Sequence, residues 1–443
     1  MLNVIVKDRL FIVSNSNGKG TNSQYIWNIV GTVSSVLIST FLLLVATRLG
    51  TSQQADIFAL AYTIAQQLYV IGIFGVRPFQ STDVKEEFLF QSYLSTRMVT
   101  IVLMNMCLVV ILAIGGYSID KLLIVLFVSL YRSCDAFSDV YQGFFQQQLR
   151  SDLAGKVLFY RSVFAATIFV IGIILSKSLL FSSVTLFFCN FFLTFLLDFR
   201  IYKQNFRTIS WKDSLQSIEI AKILKACFPL FFNGFLINYI FSEPKLAIDG
   251  LLEVGKGFEG MQRDFNVLFM PTFILNLLFI VLRPLLTQLS IFWTNKQYDK
   301  FNFQIKQITF ALFGLEIFVL IGGYFIGLPI LGLVFGVNLL SYKTVFMILL
   351  VGGFFNLFAT LIDNIMTIYR KQRLLLLANI ISFIVSKLIT TNLVNRYGLI
   401  GASLSFLFSM LAFFGLSFII YMYVRKDIKE NVRFKSSNDY SSL

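Results

Sequence analysis

The chain has 443 residues, of which 57% are hydrophobic and 14% charged, with a formal net charge of +14, four cysteines and no histidine. An ordinary soluble domain carries about 25% charged residues, so the composition points to the membrane class, and the lack of histidine excludes Ser-His-Asp hydrolysis and other imidazole chemistry. Lys and Arg mostly flank apolar runs instead of forming a basic face; this suits topology signals and contact with anionic membrane lipids and argues for no nucleic acid partner.

A spanning helix needs about 20 apolar residues, and about twelve such runs follow one another here. Residues 1–25, with Lys7, Asp8, Arg9 and a polar SNSNGKGTNSQ tract, lack a long apolar core and read as a cytoplasmic tail, not a cleaved signal. The first helix is expected at 26–47 and the second at 55–76, with a turn at 50–54. The second is polar for a lipid environment: it contains Gln66 and Gln67 and closes at Arg77 and Pro78, so one face should look into protein or a watery cavity.

After a charged linker at 80–91, helices are expected at 94–117 and 121–143. The latter places Arg132, Asp135 and Asp139 at i, i+3 and i+7, on one face. A charge at the bilayer centre costs about 2.5–3.5 kcal/mol on the mildest scale. That face therefore either marks the interfacial end of the helix, with Arg132 paired to Asp135, or lines a polar cavity. An amphipathic connection at 144–156 leads to helices at 157–175 and 179–199. The longest polar interruption, 200–222, carries Arg200, Lys203, Arg207, Lys212 and Lys222 with Trp211, and reads as a helix lying at the cytoplasmic interface. It divides the chain into six-helix bundles at 26–199 and 224–425, joined by the basic linker 200–223 and followed by a polar, flexible cytoplasmic tail at 426–443.

In the second half, helices are expected at 224–242, 267–293, 308–328, 342–369, 374–393 and 399–424. The first gives way at YIFSEPKLAID, where Glu243, Lys245 and Asp249 arrive beside Pro244 and the segment reads as opening at a polar place. GLPILGLVFGVNLL is Gly-rich, contains Pro329 and reads as an extracellular or partly re-entrant turn. The basic connections fall on one side of twelve helices if both termini are cytoplasmic. IFGVRPF and FIVLRPLL place Arg77-Pro78 and Arg283-Pro284 in the second helix of each half. Such an echo fits a parallel duplication whose halves surround a central cleft.

The cations expected to face an interior are Arg48, Arg77, Arg132, Lys245, Arg263 and Arg283. Guanidinium forks and a mobile ammonium suit phosphate, while Arg48 and Arg77 also suit snorkelling to headgroups. Asp56, Asp135, Asp139, Glu243, Asp249 and Asp363 serve either as structural partners of Arg or as ion sites. The acids assigned to ion coupling or gating are Asp139, Glu243, Asp249 and Asp363, the last being the one most surrounded by apolar sequence. Cys107, Cys134, Cys189 and Cys227 lack metal-ligand spacing, and there is no GxxxxGK[ST] loop or HExxH. No metal, cofactor or catalytic residue is expected.

YIFSEPKLAID, DFNVLFMPTFILNLLFIVLRPLLTQLSIFW and YRSCDAFSDVYQGFFQQQLRSDLAGK resemble polysaccharide-unit flippases of the multidrug/oligosaccharidyl-lipid/polysaccharide (MOP) exporter superfamily, over most of residues 26–425. Members often carry an Asn-Ala-Pro-Lys-Tyr-Ala-Ile-Asp-like run after the seventh helix. Here its Pro, Lys and acid fall at Pro244, Lys245 and Asp249, whereas Ser242 and Glu243 depart from Asn-Ala and Leu246 replaces the aromatic.

The resemblance implies an all-α polytopic membrane protein of about 12 transmembrane helices, MATE-like, in two six-helix bundles forming a V-shaped central cavity. It implies alternating access driven by an H+ or Na+ gradient in a bacterial cytoplasmic membrane. The implied cargo is an undecaprenyl-pyrophosphate-linked oligosaccharide repeat unit, moved to the outer leaflet for capsule, exopolysaccharide or O-antigen assembly. Cationic cavity residues would hold the pyrophosphate, and Tyr62, Gln66, Gln67 and Asn238 would meet sugar. The implied partners are a polysaccharide polymerase and assembly proteins. Three readings stand against this one: an ion-coupled drug or cation antiporter of the same superfamily, which asks for an acidic cavity; a membrane glycopolymer polymerase or ligase, which asks for a large external loop; and a purely structural envelope partner.

Overall fold

Backbone polar groups in lipid must be satisfied within the protein, which confines long apolar segments to helices or closed barrels; among the described residues the chain is helical throughout, without strands. The computed structural model describes residues 18–83, 86–206, 217–276 and 278–440; the side chains of 18–22, 25, 217, 273–284, 287 and 429–440 lie outside the described residues. So do Lys7, Asp8 and Arg9 of the N-terminal tail and Arg207, Trp211 and Lys212 of the expected interfacial helix.

The helices, in order, are α1 (Gly18–Leu49), α2 (Ser52–Ile73), α3 (Val76–Thr82), α4 (Phe90–Ile114), α5 (Ile119–Gln147), α6 (Ser151–Ser176), α7 (Leu179–Leu193) and α8 (Arg200–Asn205), then α9 (Ser217–Glu253), α10 (Met261–Asn276), α11 (Leu278–Thr294), α12 (Tyr298–Gly322), α13 (Leu328–Phe335), α14 (Lys343–Ile368) and α15 (Leu375–Tyr440). A π-helical turn, Thr194–Phe199, links α7 to α8, and another, Gly323–Gly327, links α12 to α13. Nine described stretches are long and apolar enough to cross a bilayer. One of them, Gln372–Ile428, holds two passes, because Gly398 (φ 56°, ψ −127°) breaks α15. With α5 and the α10–α11 pair the described helices form the architecture of an all-α membrane protein of about twelve passes.

The chain forms two compact units, one of Met1–Gly50 and Ile64–Phe231, the other of Thr51–Thr63 and Phe232–Leu443. The start of α2 therefore goes with the second unit and the start of α9 with the first, unlike the division expected at 200–223. The turn before α2 is tight. Thr51 and Gln54 form a reciprocal capping box, the Thr51 N–H donating to Gln54 Oε1 and the Gln54 N–H to Thr51 Oγ1, each at 3.2 Å.

Several expected interruptions are helical. YIFSEPKLAID does not open: α9 continues through Pro229 and Pro244, with Ser242, Glu243, Lys245 and Asp249 buried. Polar residues and proline break a helix only when their groups go unmet, and neighbouring helices supply partners here. GLPILGLVF is likewise the π-turn and α13, with Pro329 in the first turn, where no N–H is required. The 144–156 connection reduces to residues 148–150, with Leu149 at φ 58°, and the backbone beyond Arg425 stays helical to Tyr440. Conversely, α2 ends early, at Phe74 and Gly75, both with positive φ, and Pro78 enters the first turn of α3.

Helix α1 packs on α6 through backbone. A Cβ at Gly31 would lie 2.1 Å from the Gly155 carbonyl oxygen, and one at Gly155 would lie 2.0 Å from that of Trp27. Small residues at such crossings let membrane helices associate by close packing. The apolar core of the first unit gathers Phe90, Tyr141, Phe144 and Tyr202; that of the second gathers Phe301, Leu312, Leu357 and Ile365. Gly155→Leu is expected to force α1 from α6 at a cost of about 1–3 kcal/mol or more, seen as a lower unfolding temperature and reduced membrane yield; an unchanged melting curve would show that the crossing tolerates a side chain.

Candidate functional site

In the first unit, the charged face of α5 organises a continuous polar network. Asp139 sits between two guanidiniums: Arg97 of α4 donates Nη2 to Oδ2 at 2.7 Å, and Arg77 of α3 donates Nη1 to Oδ1 at 3.2 Å. Arg77 also donates to Gln142 (2.7 Å) and Gln146 (3.1 Å), so α3 is tied along α5. Arg97 is fully buried, and its Nη1 donates at 2.6 Å to the Gly72 carbonyl, which also accepts from Thr100. Gly72 lies just before the α2 break, so two side chains of α4 serve a carbonyl at the point where the helix ends.

A second line of contacts runs from the same face. Arg132 donates to Asp135 at 2.6 Å and to Gln66 at 2.8 Å, with its guanidinium carbon 3.8 Å from the Tyr69 ring centroid. Asp135 also accepts from Arg161 of α6 at 3.0 Å, and Arg161 donates to Asp198 at 3.0 Å and to Thr194 at 2.9 Å. The π-turn after α7 aims Asp198 inward, where it is fully buried and accepts from Ser138 at 2.8 Å. Gln142 donates to Ser138 at 3.0 Å, which closes the circuit back to Arg77.

The structure thus brings Gln66, Arg77, Arg132 and Asp139 into one network, with Asp135. Three further members, Arg97, Arg161 and Asp198, were not singled out from the sequence, although Arg97 and Arg161 are charges inside apolar runs and Asp198 closes one. Gln67 is half-buried on α2, and Arg48 is exposed in the last turn of α1, outside these contacts.

The second unit disperses its candidates. Asp56, from the first turns of α2, accepts from the Gly260 N–H (2.6 Å) and the Arg263 N–H (2.7 Å), capping the N-terminus of α10. Arg263 donates to Asp264 at 2.8 Å and Ser52 at 2.9 Å. On α9, Glu243 and Lys245 are two residues apart and so point to different sides. Glu243 accepts from Lys387 of α15 at 3.1 Å, and Lys387 also donates to Tyr239 at 2.6 Å; Lys245 is buried with its Nζ 4.6 Å from the Phe269 ring centroid. Asp249 shares the Lys245 face and is buried, whereas Asn238 is half-buried on the same helix. Tyr62 packs on Phe58. Asp363 is half-buried on α14, where its main-chain carbonyl accepts from Thr367. The Arg283 side chain lies outside the described residues. A cavity of about 840 Å³ opens at the ends of α11 and α14, lined by Trp293, Lys296, Tyr298, Tyr369 and Arg370, and contains none of the candidates.

Asp139→Asn would leave the buried Arg97 facing a neutral amide. Breaking a buried pair costs about 3–5 kcal/mol, so this variant is expected to lose more thermal stability than Arg48→Gln, whose side chain is exposed; equal melting temperatures would show that Asp139 is not the partner on which the first unit relies.

No protein-family model matches the chain, and no curated protein matches it. Solved structures do. An inward-facing multidrug resistance MATE family transporter of the MOP superfamily matches with a TM-score of 0.67 at 12% identity, covering 90% of this chain and 99% of its own. A variant of the Vibrio cholerae MATE transporter VcmN matches with a TM-score of 0.62 at 11% identity, covering 91% and 96%. A MOP superfamily transporter from Pyrococcus furiosus, described as having a binding pocket of reverse polarity that suggests a different function, matches at 0.55 and 11% identity, covering 92% and 95%. The chain has the MATE-type fold of MOP superfamily transporters over nearly its whole length.

Proposed function

We propose that this protein is a transporter that moves undecaprenyl-pyrophosphate-linked oligosaccharide repeat units to the outer leaflet of a bacterial cytoplasmic membrane. The observation that supports the reading is the charge balance of the first unit's network. The guanidiniums of Arg77, Arg97, Arg132 and Arg161 meet the carboxylates of Asp135, Asp139 and Asp198, so this set carries one excess positive charge. Arg77 is the most exposed of the four, at 22% of its side-chain surface. Arginine forks match phosphate oxygens in pairs, and a network with one guanidinium in excess suits an anionic headgroup better than a cationic drug.

The competing reading, an ion-coupled drug or cation antiporter, draws support from the multidrug transporters that share the fold. The two differ in the sign of the cargo. In cells depleted of the protein, lipid-linked glycan is expected to accumulate where a membrane-impermeant glycosidase cannot reach it, with loss of surface polymer. Arg77→Gln, Lys245→Gln and Arg283→Gln, at normal expression, are each expected to reproduce part of that defect. Normal outward exposure with normal polymer, together with raised sensitivity to cationic drugs, would establish the antiporter reading instead.

A further inference from the structure

The described charges of the first unit's network meet partners; one buried carboxyl of the second unit does not. Glu316 lies two turns before the end of α12, within LFGLEIFVLIG. It completes the buried stripe Phe301, Gln304, Ile308, Leu312 and Glu316, while Phe310, Phe313, Ile317 and Phe318 on the other faces of the helix are exposed. Its side chain has no solvent exposure, and neither carboxyl oxygen has a hydrogen-bond partner.

The neighbouring helices explain why. Helices α12 and α14 run antiparallel, in a register set by Phe301 against Tyr369, Phe313 against Phe354, and Gly323 against Leu350 and Phe346. That register places Glu316 level with the buried Gly352 and Gly353, positions without side chains, and with the buried Asn356, which does not hydrogen-bond to it. The charged residues of α14, Lys343 and Asp363, lie about ten residues to either side, about 15 Å along the axis at 1.5 Å per residue. On α12 itself the nearest charge is Lys306. The π-turn and α13 carry none, and α15, which presents Phe406 to Gly352, has none between Arg396 and Arg425. Helix α10 meets α14 through Thr272 and Leu349, about two turns from its own Arg263 and Asp264. On α11 the charged residue is Arg283, whose side chain lies outside the described residues.

An isolated ionised carboxylate is too costly to bury in apolar surroundings, so the group must carry a proton or hold a cation. A metal cation needs several oxygen ligands, and among the described residues no cluster of three or more His, Cys, Asp or Glu side chains exists. A proton needs none beyond the carboxyl itself. We propose that Glu316 is a proton-binding site of the second unit, neutral while α12 and α14 are packed as here and releasing H+ to water when that face is hydrated. Under the transporter reading above, it would let the second unit take up and discharge one proton per cycle, a role distinct from those assigned to Asp139, Glu243, Asp249 and Asp363.

The test uses the purified full-length protein in lipid and requires no cargo, so its outcome is independent of what is transported. A hydrophobic carbodiimide modifies protonated carboxyls in apolar sites. Peptide mapping is expected to find Glu316 labelled, with labelling falling as pH rises and unaffected by Na+. Infrared difference spectra are expected to show a protonated-carboxyl C=O stretch that Glu316→Gln removes. Absence of label at Glu316 at every pH, while other acids react, would overturn the proposal even if the variant failed to fold. Protection of Glu316 by Na+ at constant pH would overturn it in favour of a sodium site.

Discussion

The first unit depends on how one carboxylate, Asp139, is held. Two arginines from two helices converge on it, and one of them, Arg97, simultaneously satisfies a main-chain carbonyl at the end of a third. A carboxylate in a low-dielectric interior is costly alone and becomes acceptable when opposite charge and hydrogen bonds surround it. The same interaction therefore orients α3 and α4 against α5 and makes the end of α2 at Phe74 and Gly75 tolerable. Around it the unit is closed by backbone contact at Gly31 and Gly155 and by an aromatic cluster, neither of which requires charge.

The second unit handles polarity differently. Its ionisable groups are spread over separate local arrangements: Asp56 at the N-terminus of α10, Lys387 with Tyr239 and Glu243, and Lys245 against Phe269. Glu316 stands apart from all of them. A polar network whose charges are all paired behaves as a rigid block, whereas an acid that gains or loses charge alters the energy of the packing around it. The first unit thus pairs its buried charges, while the second leaves one buried carboxyl without a hydrogen-bond partner.

Much of this was legible in the sequence. The number of passes follows from apolar run length, and the α5 face was visible because Arg132, Asp135 and Asp139 recur at helical spacing. Helix continuity was not. Pro244 among charges looks like a break until Lys387, more than a hundred residues away, is found beside Glu243, and GLPILGLVF looks like a turn until Pro329 falls in the first turn of α13. The network partners Arg97 and Arg161 were single charges in apolar runs, and Asp198 stood at the end of one. Their meaning is relational, since each is a partner of something that only tertiary packing brings near.

The break in α15 at Gly398 bears on how the protein can be probed. Two membrane passes join there with almost no loop, and a Cβ at Gly401 would sit 1.9 Å from the Leu393 carbonyl oxygen. Reporter domains or epitope tags inserted between those positions would pry apart backbone that is in contact, so fusion-based topology mapping would report the damage and not the sidedness of this end. Single cysteines at the exposed Arg396 or Tyr397 leave the turn's main chain intact and would report which aqueous compartment it faces.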